Sequence, residues 1–186
     1  MVERNATSAE RGTIVRSLDI YLNDHYAGAV VGVELARRRT RGATNEEEAR
    51  ILRELTAEID EDRRSLRKIM ASLDVDVSLY KAWAAWIGER LTRLKPNGSV
   101  LTVSPLTKLI ELESLRLGVE GKASGWRSLL VVAQHDSRLD SAAIERLHER
   151  AQDQLEVLEG LRMHHATEVL SGADPRAGTD STEPAR

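Results

Sequence analysis

The sequence predicts an all-α protein, an up-down four-helix bundle with a long connection between its second and third helices. Three observations point there. Apolar residues recur at three- and four-residue spacing almost throughout residues 12–171. Helix start and stop signals punctuate that pattern. No stretch holds the alternation of a strand, and Val100–Val103 is the only short extended candidate. A chain of 186 residues, 41% of them hydrophobic, can bury one core. A single domain is therefore expected over 12–171, with 1–11 and 172–186 as disordered ends.

The first helix is predicted over Ser17–Arg39, with Leu18, Leu22, His25, Ala29, Gly32 and Ala36 on one face and Gly42 as its stop. Gly28 and Gly32 make that face small, which predicts close helix packing, with room for a ligand as the other reading. Arg37, Arg38, Arg39 and Arg41 complement the negative end of the helix. Thr44 and Glu47 read as a capping box for the second helix, which runs to about Leu73. Its inward residues are Leu52, Leu55, Ile59, Asp62, Leu66, Ile69 and Leu73. The connection holds a shorter amphipathic helix, Ser78–Leu94, with Trp83, Ile87, Leu91 and Leu94 on its apolar side and a turn at 95–98.

Ser104-Pro105 is a strong start for the third helix. Leu106, Leu109, Ile110, Glu113, Leu117 and Glu120 then share a face. Gly118, Gly121 and Gly125 each weaken that helix by about 1 kcal/mol relative to Ala, so a break or a close contact is expected near Gly121. The fourth helix begins at Asp140 or Ser141 and reaches about Leu170. It turns Ile144, Leu147, Ala151, Gln154, Leu158, Leu161, His165 and Val169 inward, and Gly172 stops it.

Composition narrows the function. A net charge of -3, with 31% charged residues of both signs, argues for a solvated surface and against a nucleic-acid partner. The absence of Cys removes thiol catalysis and thiolate metal sites. The N-terminus has no apolar core of a signal peptide, and no run approaches the roughly 18–20 apolar residues of a membrane span. The expectation is a cytoplasmic protein without a membrane partner. A homo-oligomer or a protein partner remains a candidate, with Trp86 on the outer side of the connecting helix as a contact residue.

Each long helix carries a polar residue within its apolar stripe: His25, Asp62, Glu120 (with Glu113 one heptad earlier) and Gln154. Such groups need a partner or a metal when buried. The reading favoured by the residues is a hydrogen-bonded or ion-paired network in which Arg116, Lys122 or Arg127 neutralises the acids. The alternative is a metal held by His25, Asp62, Glu113 and Glu120, a donor set suited to iron, manganese or zinc. Paired carboxylates could also serve as acid and base, but the sequence supplies no nucleophile or phosphate loop beside them. His164 and His165, with His148 four turns earlier, could suggest zinc, but a position near a helix C-terminus favours cationic His in any case.

The two halves of the chain echo each other. Ile59-x-x-Asp62-x-x-x-Leu66 in the second helix matches Ala151-x-x-Gln154-x-x-x-Leu158 in the fourth, and each follows its hairpin's first polar residue by a similar separation. With its two hairpins and long link, the chain resembles the ferritin-like superfamily over residues 14–171. Members of that family take one Glu from the first helix of each hairpin and a Glu-x-x-His motif from the second to hold two metal ions. The resemblance sets His25 and Glu120 at the single Glu positions, with Ile59/Asp62 and Ala151/Gln154 at the paired motifs. Ile59 and Ala151 cannot bind metal, and Gln154 offers only a neutral amide. The resemblance thus implies a crossover bundle with a degenerate metal centre, non-catalytic and without a cofactor. An iron- or manganese-binding oxidoreductase with a reduced site is the alternative.

Overall fold

The computed structural model describes residues 8–77 and 105–171. They form α1 (Ser8–Arg41), α2 (Glu46–Ser72), α3 (Pro105–Ala133) and α4 (Ser141–Ala166), followed by a wider π-helical turn, Thr167–Ser171. The described residues contain no strand, and none of their helices is long and apolar enough to cross a membrane. The helix expected over Ser78–Leu94, with Trp83 and Trp86, the turn at 95–98, the extended candidate Val100–Val103 and the tail 172–186 all lie outside the described residues. So do residues 1–7. α1 starts at Ser8, well before the expected Ser17.

Side-chain pairs at the bundle's two ends fix the helix directions. Arg38 Nε lies 2.7 Å from Glu111 and Tyr21 donates to Ser128 Oγ at 2.9 Å, so α1 and α3 are antiparallel. Arg39 pairs with Glu48 and Arg63 donates to Tyr26 at 3.2 Å, which sets α2 antiparallel to α1. Glu48 meets His165 at one end, and Asp74 meets Arg138 at 3.2 Å at the other, so α4 opposes α2. By the same pairs α2 and α3 run in the same direction.

The cap of α2 sits one residue later than expected. Asn45 is the N-cap, and its side chain accepts from Glu48 N–H at 2.9 Å. Glu48 returns the bond to Thr44, accepting from its backbone N–H at 2.6 Å and from its hydroxyl. Glu47, the expected partner, stays in solvent beside Arg50. The box shifts because Glu48, buried at 5% exposure, also faces Arg39 and His165.

α2 ends in a Schellman motif. Val75 N–H bonds Met70 C=O at 2.9 Å and Asp74 N–H bonds Ala71 C=O at 3.3 Å, with Asp74 left-handed at φ 58°. That conformation is costly for a residue with a Cβ. Asp74→Gly is expected to raise unfolding stability by about 1 kcal/mol, since the lost pair with Arg138 is exposed and weak. Urea denaturation reads this directly; an unchanged or lowered midpoint would contradict it.

Most inward positions expected for α2 and α4 are buried, namely Leu52, Leu55, Ile59, Asp62 and Leu66, and Ile144, Leu147, Ala151, Gln154, Leu158 and His165, while Leu161 and Val169 are half-buried. Within α2, Met70 takes the fully buried place expected of Ile69. α1 and α3 are rotated from expectation. α1 buries Leu22, Tyr26, Val33, Ala36 and Arg39, leaving Leu18, His25, Ala29 and Gly32 half-buried. α3 buries Leu109, Leu112, Leu115, Val119, Ala123 and Trp126, while Leu106, Ile110 and Leu117 are exposed. α3 carries two adjoining apolar stripes, and burying the other one keeps Glu113 and Glu120 in water. No break occurs at Gly121; α3 is continuous across all three glycines.

Candidate polar centre and adjoining groove

Asp62, in the middle of α2, is 1% exposed, and both of its carboxylate oxygens are occupied. Lys122 of α3 donates to Oδ2 at 2.5 Å, and Gln154 of α4 donates to the same oxygen at 3.2 Å. Arg150, one helical turn before Gln154, donates Nε to Oδ1 at 2.9 Å and brings Nη2 to that oxygen as well. Gln154 is satisfied in turn. Its carbonyl accepts from Lys122 and its amide donates to Glu58 at 3.0 Å. Arg150 also reaches Glu61 at 3.2 Å toward the surface. Burial pulls the Lys122 ammonium below the ordinary lysine pKa against the upward pull of Asp62. Three helices are thus joined through one carboxylate.

The structure brings Asp62 and Gln154 together, and of the three expected cations it brings Lys122. Arg116 instead pairs with Glu159 at 2.9 Å, and Arg127 is exposed beside Ser124. Glu113 and Glu120 do not join: both are exposed on the outer side of α3, where Arg162 lies 3.8 Å from Glu113. Their inward assignment is corrected here. It came from treating Leu106, Ile110 and Leu117 as the core stripe. His25 is half-buried and stacked at a tilt on Tyr21, ring centres 4.4 Å apart. Burial lowers its pKa, opposed by the Asp24 charge. Gly125 faces this ring so closely that a Cβ there would sit 3.0 Å from it. Among the described residues, no three His, Asp or Glu side chains gather as a cation-binding group.

A second buried ionic cluster lies at the far end of the bundle and was not anticipated from the sequence. Arg39, 0% exposed, pairs with Glu48 and donates to Gly42 C=O at 2.8 Å. His165 Nε2 lies 2.9 Å from Glu48 and 3.1 Å from Arg39, so a proton on Nε2 lets Glu48 accept from both. Arg39 continues the inward face of Ala36, three residues on, and that spacing was its one legible signal. The arginine run is therefore divided: Arg39 is interior, Arg38 pairs with Glu111, and Arg37 pairs with Glu34. His164 is exposed and edge-on to His165 at 5.7 Å.

Burial works against the Glu48 carboxylate, yet the His165 and Thr44 hydrogen bonds and the Arg39 charge outweigh it and hold its pKa at about 2, from 4.5. A depressed carboxylate pKa adds stability that is complete above the unfolded value and is lost as pH falls through the folded one. Unfolding free energy is expected to fall between pH 4.5 and 2. In Glu48→Gln that acid-limb slope should be shallower, as read by urea melts at a series of pH values. Equal slopes would contradict the assignment.

Beside the polar centre, a groove of about 610 Å³ separates α1 from α3, with Ile59, Asp62 and Leu66 of α2 among its lining. Gly28 and Gly32 line it on α1, and Gly118 and Gly121 on α3. Among the described residues, a Cβ added at any of these four glycines meets nothing within 4 Å. Within that set the small-residue spacing of α1 borders the groove instead of packing closely on α2 or α3.

Comparison with protein-family models, with curated proteins and with solved structures finds no match to this chain. Fold and site together define, among the described residues, an all-helical arrangement of four packed helices joined at mid-depth by ion pairs.

Proposed function

We propose that this chain is a non-catalytic helical-bundle protein with a ferritin-like chain path, in which a network of ion pairs stands where relatives of that architecture would hold metal. The observation that supports the path is that α2 and α3 run the same way, as the second and third helices of a bundle with a crossover connection do. The observation that carries the functional reading is the Asp62 carboxylate, held by Lys122, Arg150 and Gln154. A metal ion there would have to displace two fixed cations. Its neighbours at the remaining motif positions, Ile59 and Ala151, are core hydrocarbon.

The reduced iron or manganese site built from His25, Asp62, Glu113 and Glu120 does not fit this arrangement, because two of its four donors project into solvent. In our reading the network specifies which helices pack together, and the protein works by association, with itself or with a protein partner. Elemental analysis after growth with iron, manganese and zinc tests this. Metal well below one equivalent, unchanged in Asp62→Ala, is the expected result. One equivalent or more, lost in Asp62→Ala, would overturn the proposal.

A further inference from the structure

The groove between α1 and α3, at about 610 Å³, has the size of sites that take small organic molecules. Gly28 and Gly32 on one wall and Gly118 and Gly121 on the other each weaken their helix relative to alanine. Packing among the described residues calls for none of them, since a Cβ at any would meet nothing within 4 Å. The groove is bridged where His25 of α1 faces Gly125 of α3, 3.0 Å from the place of a Cβ there. Trp126, the next residue, lines the groove beside this bridge. It is 2% exposed, and its indole N–H has no acceptor among the described residues. Buried indole donors nearly always have one.

We propose that the groove is a binding site for an uncharged aromatic molecule bearing a carbonyl, its ring between the glycine-lined walls and its oxygen on the Trp126 indole N–H. A flat ring suits a slot between two helices whose facing positions carry no side chain. Leu117, 69% exposed at the groove's edge, and Leu22, Ile59 and Leu66 in its lining supply apolar contact. The charged groups of the lining argue against an ionic ligand, because they are already matched. Asp62 is held by Lys122 and Arg150, and Arg63 bonds Asp60 and Tyr26. Asp24 stands in water, where an ion pair adds little. The small-residue spacing of α1 then serves a ligand, the reading of that spacing in which it leaves room. The site goes beyond the packing role given to the ion pairs, which does not depend on it.

Titration of the full chain with prodan, an uncharged naphthalene ketone, tests it by fluorescence and by nuclear magnetic resonance of the tryptophan indole N–H groups. Prodan should bind saturably at one equivalent, and the assigned Trp126 indole resonance should move as the probe binds. Gly121→Phe, which fills the groove, should weaken binding at least ~10-fold while the chain keeps its helical circular dichroism. If that variant loses helix, Gly28→Leu on the opposite wall must show the same weakening, and the Trp126 resonance of the parent decides without either. No saturable binding, binding that leaves the Trp126 resonance in place, or binding unchanged in a folded, filled variant would overturn the inference. Tighter binding of anilinonaphthalene sulfonate than of prodan would assign the groove to anions, and dimers that prodan dissociates would assign it to a second copy; either overturns the inference.

Discussion

Asp62→Ala is expected to lower unfolding stability by about 3–5 kcal/mol, the largest effect of any single substitution in the bundle's centre. The carboxylate is 1% exposed and is shared by Lys122, 14% exposed, and Arg150, 26% exposed. Removing it leaves the Lys122 ammonium without its ion-pair partner and Arg150 with Glu61 toward the surface, and Gln154 loses one acceptor. Lys122→Met should cost less, about 1–2 kcal/mol, because Asp62 keeps Arg150 and Gln154. Denaturant melts monitored at 222 nm give both values. A loss larger in Lys122→Met than in Asp62→Ala would contradict the central role of the carboxylate.

Arg39→Met is expected to cost about 3 kcal/mol or more, although Arg39 belongs to a surface-like run of arginines. Its guanidinium is fully buried and bonds both Glu48 and the Gly42 carbonyl. Without it, Glu48 is left with His165 and Thr44 alone, and the end of α1 loses a bond to its terminal turn. Neighbouring Arg38 pairs at the surface, and Arg38→Met should fall within about 1 kcal/mol of the parent. Comparing the two melts separates a buried ionic tie from a solvated helix terminus. Equal losses would place Arg39 with its neighbours.

How far the sequence was legible depended on each helix's composition. α2 and α4 alternate apolar and charged residues cleanly, so Leu52, Leu55, Ile59, Asp62 and Leu66, and Ile144, Leu147, Ala151, Gln154 and Leu158, could be assigned to the core from spacing. α3 is apolar on two adjoining stripes, and spacing alone does not choose between them. The presence of Glu113 and Glu120 on one stripe was the better guide, since an unpaired carboxylate favours the solvent side. α1 misled for the opposite reason: its glycines and alanines carry little apolar area, so Tyr26, Val33 and Arg39 decide its buried side. Lys122 was recognisable as a neutralising cation for the centre. Arg150 was not, because its stem leaves α4 beside Gln154 while its head turns inward to Asp62, a direction that residue type does not encode.

The ferritin-like resemblance set Glu120 at an inward position on α3, whereas that helix turns Glu120 to solvent, buries hydrocarbon and places Lys122 at the centre. A salt bridge between α2 and α3, closed by Arg150 and Gln154 from α4, joins the three helices at Asp62.

A double-mutant cycle on Asp62 and Lys122, measured as unfolding free energies of the full chain in chelator-treated buffer, tests the role of this ion pair most directly. The double variant Asp62→Ala, Lys122→Met should be less destabilised than the sum of its singles by about 2 kcal/mol. Additive losses, or a parent protein whose stability collapses when metal is chelated, would contradict it.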